Sequence, residues 1–225
     1  MSSGTGAGQP APVHRSMGWT LAPEVSFCDA GKYLVFLDLR RDRYFCLPAE
    51  VDAATRIWLT DQTGAPPNAL VRNRLLVSAE APAREIRACD TRTAADDLTQ
   101  GSAPVTAAML GRAVIASVSA RASLRMRSLV RVLQDLPPPG APADRELHAA
   151  CLSFRAARRL LPIRLNCLSG SVALLRYLGP HTPRPTLVFG VTLAPFRAHC
   201  WVQDATYVLN DDIDTVSRFV PIRAL

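Results

Sequence analysis

The spacing of apolar positions changes character along this chain. Residues 17–48 alternate between apolar and polar in the manner of strands, most clearly at Tyr33-Leu34-Val35-Phe36-Leu37-Asp38-Leu39. A polar turn, Arg40-Arg41-Asp42-Arg43, leads into Tyr44-Phe45-Cys46-Leu47, and the two runs predict a hairpin. From Pro48 the period becomes helical. Glu50 to Leu59 sets Val51, Ala54, Ile57 and Trp58 on one face. After a loop over residues 64–68, Ala69 to Ala79 predicts a second helix carrying Leu70, Leu75 and Leu76. Residues 17–80 thus read as a small β-then-α module, near the lower size limit for an independent core.

Residues 1–16 are Gly-, Ser-, Ala- and Pro-rich and read as a disordered tail. Residues 81–104 carry prolines and scattered charge with weak period, and read as a linker. Residues 105–225 form the second domain. Val105 to Leu136 is a long helical stretch with one break, stopped by Pro137-Pro138-Pro139-Gly140. Asp144 caps the next predicted helix, which runs to about Leu161, buries Leu147, Cys151 and Phe154, and ends at Pro162. A helix from Cys167 to about Leu178 follows, then strands at Thr186–Leu193, Ala198–Gln203 and Thr206–Leu209. The predicted class is α+β.

The chain has 225 residues, is 48% apolar and carries a net charge of +7. Its basic residues are arginines apart from Lys32, and alanine and proline abound. That balance reads first as the composition of a GC-rich coding sequence and only second as a nucleic-acid footprint, although a basic surface can steer an acidic partner. The six cysteines form no CxxC pair, so neither a zinc site nor a disulfide framework is indicated. No segment has the apolar core of a secretory signal, and none approaches the ~18 apolar residues of a membrane span. The expectation is a cytoplasmic protein with reduced thiols, no metal and no cofactor; no phosphate-binding glycine loop is present.

Candidate chemistry gathers near the C-terminus. Cys167 opens a helix and precedes the small residues Ser169 and Gly170, so its thiol can feel the positive end of the helix dipole. Free N–H groups there could also hold an oxyanion. On the Ala198–Gln203 strand, His199, Trp201 and Gln203 share one face, with Cys200 and Val202 on the other. Asp211, at the end of the next strand, could orient the imidazole, with Asp212 and Asp204 as rival acids. A thiol, an imidazole and a carboxylate in that order suit acyl transfer of the papain or transglutaminase kind. Cys28, Cys46, Cys89 and Cys151 read as sheet, linker or core residues, and His14, His148 and His181 as solvent-facing.

The segments Cys167-Leu168-Ser169-Gly170-Ser171-Val172-Ala173-Leu174-Leu175, Leu187-Val188-Phe189-Gly190-Val191, Phe196-Arg197-Ala198-His199-Cys200-Trp201-Val202 and Val208-Leu209-Asn210-Asp211 resemble the lasso-peptide maturation B proteins, which are transglutaminase-like leader peptidases. The resemblance implies Cys167 as nucleophile, His199 as general base and Asp211 as orienting acid. It departs from that family's pattern at Gly170, where arginine is common nearby, and at Cys200, where alanine is usual. The hairpin, with Ala53-Ala54-Thr55-Arg56-Ile57-Trp58, is similar to PqqD-like leader-recognition domains, which resemble winged helices and bind a peptide as an added strand. That similarity implies a peptide groove between Tyr44, Phe45, Cys46 and Leu47 and a helix bearing Arg72, Leu75 and Leu76, though Leu75 and Leu76 serve equally well as module core. The implied partners are a precursor peptide and an asparagine-synthetase-like, ATP-dependent cyclase, with no nucleic acid and no membrane. Two other readings use the same residues. A transglutaminase would replace water by an amine and is told apart by product mass. A winged-helix nucleic-acid binder with a degenerate C-terminal domain would require steeply salt-dependent DNA binding.

Overall fold

The computed structural model describes residues 17–80, 85–98, 104–136, 145–179 and 185–225. The tail over 1–16, the Pro137–Gly140 stop, the Asp144 cap, His14 and His181 lie outside the described residues.

Strands form where the alternation predicts them: β1 (Met17–Leu21), β2 (Val25–Asp29), β3 (Leu34–Asp38) and β4 (Arg43–Cys46). β2, β3 and β4 make an antiparallel sheet in which Phe27 faces Phe36 and Phe36 faces Phe45. The rings stack with centroids 5.3 and 5.8 Å apart, cross-strand pairs of the kind that contribute about 0.2–1 kcal/mol each. All five residues of β3 are buried. Leu34 and Phe36 point into a core shared with Phe27, Leu47 and Trp58, whereas Val35, Leu37 and the following Leu39 point into the core of the C-terminal half. The unbroken apolar run of β3 is therefore that of a strand covered on both faces.

α1 (Ala49–Asp61) covers one of those faces. Its buried side is Asp52, Thr55 and Trp58, while Ala54 is exposed and Ile57 is 72% exposed, contrary to the predicted stripe. The cause is a buried ionic anchor. Asp52 accepts from the Leu34 N–H at 2.8 Å and from Arg56 Nε at 2.7 Å, and Arg56 also donates to Asp29 at 2.6 Å. Leaving that carboxylate unsatisfied would cost more than exposing one isoleucine.

The second helix is shorter than predicted. α2 (Asn68–Arg72) ends where the Asn73 side chain bonds the Ala69 carbonyl at 2.8 Å and Arg74 turns left-handed at φ 57°. The chain then enters β5 (Leu76–Glu80), antiparallel to β1. The apolar run around Leu75 fits either period, and pairing with β1 decides it. Leu75 and Leu76 therefore sit on no helix face; they are 0% and 3% exposed within the module's core.

The residues read as a linker are built into the fold over 85–98. Gln62 exchanges two hydrogen bonds with the Ile86 backbone, Cys89 N–H donates to the Phe27 carbonyl, and Ile86 and Ala94 are buried. β6 (Asp96–Asp97) closes the edge of the main sheet. The helices beyond follow the predicted bounds: α3 (Ala107–Met126), capped by Thr106, then α4 (Leu129–Gln134), α5 (Arg145–Arg159) and α6 (Cys167–Leu178). Next come β7 (Thr186–Leu193), β8 (Phe196–Gln203), β9 (Tyr207–Val208), α7 (Ile213–Val216) and β10 (Val220–Ala224). The five-stranded sheet has the order β10-β7-β8-β9-β6. Leu187, Phe189, Cys200 and Val202 pack toward α3, α5 and α6, and Val188, Trp201 and Val208 pack on the other side with Val216 and Phe219. Among the described residues no helix is long and apolar enough to cross a membrane.

Candidate active site

Asn166 sets the start of α6. Its backbone is extended and its Oδ1 accepts from the Ser169 N–H at 2.8 Å, satisfying one of the four orphan donors of the helix. The Gly170 N–H bonds back to the Asn166 carbonyl. Cys167 and Leu168 are thus the first two helical residues. The thiol is exposed at the positive end of a twelve-residue helix.

The strand beside it offers an open edge. β9 meets β8 only at the Gln203–Val208 pair, so upstream residues of β8 have no ladder partner on that side. Cys200 and Val202 turn their backbone groups there. The Cys200 carbonyl accepts from Ser171 Oγ at 3.3 Å. The Val202 N–H donates to Asn210 Oδ1 at 2.8 Å, and the Asn210 amide donates to Ser171 Oγ at 2.8 Å. Asn210 and Ser171 therefore tie together α6, β8 and the turn that carries Asp211. Sequence reading assigned neither a role. The available signals were Ser171's place one turn after Cys167 and Asn210's adjacency to Asp211.

His199 lies between the two other candidate groups. Its Nε2 is 2.7 Å from Asp211 Oδ2, and the ring lies near enough to the Cys167 thiol for each group to shift the other's proton affinity. Phe219 and Trp201 flank the imidazole, with ring centroids at 5.0 and 6.2 Å. Gly190 faces His199 across the strands, and a Cβ there would stand 2.7 Å from the Trp201 ring and 2.9 Å from Phe219 Cβ. Glycine at this position is what lets those two rings close around the imidazole.

The electrostatics follow from these contacts. The His199 hydrogen bond is the main cause holding the Cys167 thiol below its ordinary value; burial opposes it, and the Leu168 and Cys200 N–H groups assist. The Asp211 hydrogen bond, then that to Cys167, raise His199 to about 9. Burial works against the Asp211 carboxylate, but its bonds to His199 and to the Asp212 N–H carry it below the usual range. Elsewhere burial pushes the thiols of Cys28 and Cys151 up to about 12 and raises those of Cys46 and Cys200. The arrangement favours a thiolate–imidazolium pair at Cys167 and His199.

The rival acids are engaged elsewhere. Asp212 caps α7 by accepting from the Thr215 N–H at 2.8 Å. Asp204 takes the Thr206 and Tyr207 N–H groups and lies 2.6 Å from His148 Nε2. His148 is therefore not the unpartnered, solvent-facing residue expected, because the β8–β9 turn returns to meet α5. Gly170 lies beneath Arg158, whose Nη1 would be 2.8 Å from a Cβ there, so any side chain at that position must displace the guanidinium.

The N-terminal candidates do not assemble into one groove. Tyr44 is half-buried against the C-terminal core, with its ring 5.9 Å from Phe196. Burial raises its phenol above the ordinary value. Phe45 and Leu47 face the module's own core, Cys46 is exposed, and Arg72 is exposed at the end of α2. With Leu75 and Leu76 also in the core, among the described residues no helix carries Arg72, Leu75 and Leu76 together as the second wall expected beside β4. Among the described residues no group of three or more His, Cys, Asp or Glu side chains gathers as a metal site.

Residues 111–224 match the core of the transglutaminase-like superfamily. The match spans about half of the chain and contains Cys167, His199 and Asp211; this protein belongs to that superfamily. No curated protein and no solved structure matches the chain.

Proposed function

We propose that the protein is a cysteine peptidase that removes the leader from a ribosomally made lasso-peptide precursor. The observation that supports this reading is the position of His199, 2.7 Å from Asp211 on one side and beside the Cys167 thiol on the other. In a transglutaminase-like fold, that geometry suits attack of the Cys167 thiolate on a peptide carbonyl carbon. The C–N bond breaks as the His199 imidazolium gives its proton to the leaving amine, which is the new N-terminus of the core peptide. The leader remains as a thioester on Cys167. His199, now neutral, takes a proton from water, whose oxygen displaces the thiolate and frees the leader carboxylate. Asp211 holds the tautomer and steadies the imidazolium. The N–H groups of Leu168 and Cys200, which help hold down the Cys167 thiol, are candidate donors to a developing oxyanion.

In this reading the N-terminal module recognises the leader by strand addition and raises its effective concentration at Cys167. An ATP-dependent, asparagine-synthetase-like cyclase then closes the ring on the freed amine. The test is mass spectrometry of the precursor peptide incubated with wild-type protein and with Cys167→Ala, each with and without the cyclase. A single hydrolytic cut lost in the variant supports the reading. A product heavier by an added amine would assign a transglutaminase instead, and an intact precursor in every condition would remove the peptidase.

A further inference from the structure

A cleft of about 620 Å³ opens against the first turn of α6, whose residues Asn166, Leu168 and Ser169 line it while Cys167 does not. Its walls are the β3–β4 turn over 39–42, the end of α3 with the turn into α4 over 121–129, and the start of α6 over 164–169. Asn166, Leu168 and Ser169, which flank the nucleophile in sequence, form its inner end. Thus the hairpin of the N-terminal module supplies one wall of a cleft that reaches the start of α6.

The lining is strongly basic. It holds Arg40, Arg41, Arg121, Arg125, Arg127 and Arg164 against a single acid, Asp42. Arg40 pairs with Glu24, Arg41 with Asp38 and Arg127 with Asp135. No described carboxylate pairs with Arg121, Arg125 or Arg164, although all three are exposed to the cleft and Arg121 reaches the Arg164 carbonyl at 3.4 Å. Like charges gathered without counter-ions repel one another, and an anion among them relieves that repulsion. No aromatic side chain lines the cleft to stack a base, whereas single-stranded nucleic-acid sites combine basic grooves with such rings. The cleft ends instead at the residues that flank Cys167 in the chain.

We propose that this cleft binds an acidic stretch of the peptide substrate, with Asp or Glu side chains close to the scissile bond held by Arg121, Arg125 and Arg164. Guanidinium groups suit carboxylates because they can offer two parallel N–H donors. The proposal rests on the peptidase reading for the bond that is cut; the charge preference stands apart from it.

The test uses the full-length Cys167→Ala chain and a short fluorescent peptide of alternating Glu and Gly. Its controls are the Gln-for-Glu counterpart and an oligothymidylate of matching charge. The Glu peptide binds, the Gln peptide does not, and the double variant Arg125→Ala/Arg164→Ala weakens binding at least about tenfold. Both arginines are exposed, so that variant keeps its circular dichroism and melting temperature. In the protein with Cys167 intact, the Glu peptide slows alkylation of this thiol by iodoacetamide several-fold, as a ligand beside it must. Equal binding of the Gln peptide, or undiminished binding by the double variant, overturns the proposal. So does an oligothymidylate that binds more tightly and displaces the peptide, which would make the partner a nucleic acid. If no peptide is cleaved but the arginine-dependent binding persists, the peptidase reading falls and the cleft stands. Cleavage indifferent to substrate charge overturns the cleft alone.

Discussion

Around Cys167, three side chains separated by 32 and 12 positions come within bonding reach. Around Tyr44, seven candidate residues spread over two cores and the solvent. The contrast lies in what each site asks of the fold. The C-terminal constellation needs one helix start, one strand position and one turn, and each is marked locally by the residue types themselves. The N-terminal groove needs a face, and a face exists only once every neighbour has chosen its side. β3 illustrates this: its alternate residues feed the module on one side and the superfamily domain on the other. The module is therefore not free-standing beside the transglutaminase-like half but packed into its core through β3.

The sharpest challenge to this contrast is Cys167→Ala. Precursor cleavage should fall by at least about 10³-fold, followed by mass spectrometry, with the fold unchanged because the residue is exposed. Residual cleavage near wild-type would move the chemistry away from α6. Asp211→Asn should cost about 10²–10⁴-fold in kcat/KM. It should also change the pH profile. With wild-type protein, activity rises with pH as the Cys167 thiolate forms and falls as His199 loses its proton near pH 9. Removing Asp211 takes away the largest cause of that elevation, so the alkaline limb should move to lower pH; an unmoved limb would mean that another group sets it.

Next in size is Leu37→Ala, which should cost about 2–5 kcal/mol in denaturant unfolding. Because Leu37 packs into the C-terminal core, hydrogen exchange should rise in α6 and β7 as well as in β3. Faster exchange confined to residues 17–80 would restore an independent module. Gly190→Ala should destabilise by about 1–3 kcal/mol, since its Cβ overlaps the Trp201 ring, and should lower activity by disturbing His199. His148→Ala is the smallest, about 1 kcal/mol or less, with the pH profile of cleavage unchanged; a shifted profile would draw the second His–Asp pair into the chemistry.

The chain's own pattern determined the helix beginning at Cys167, the strand holding His199, the β3–β4 hairpin and the order of elements from α3 to β9, but not α7 or β10. Local propensity, capping and alternation all agree there, and Asn166 caps its helix whatever surrounds it. Tertiary structure decided the rest. It chose Asp211 over Asp204 and Asp212 by engaging the other two in a turn and a cap. It rotated α1 so that a buried Asp52–Arg56 pair displaced Ile57, and drew Leu76 into a strand by pairing it with Leu21. It also wove the expected linker into the sheet through Asp96 and Asp97. In each case the local pattern admitted two outcomes of similar energy, and a long-range hydrogen bond or the burial of one face separated them by the few kcal/mol that settle a fold.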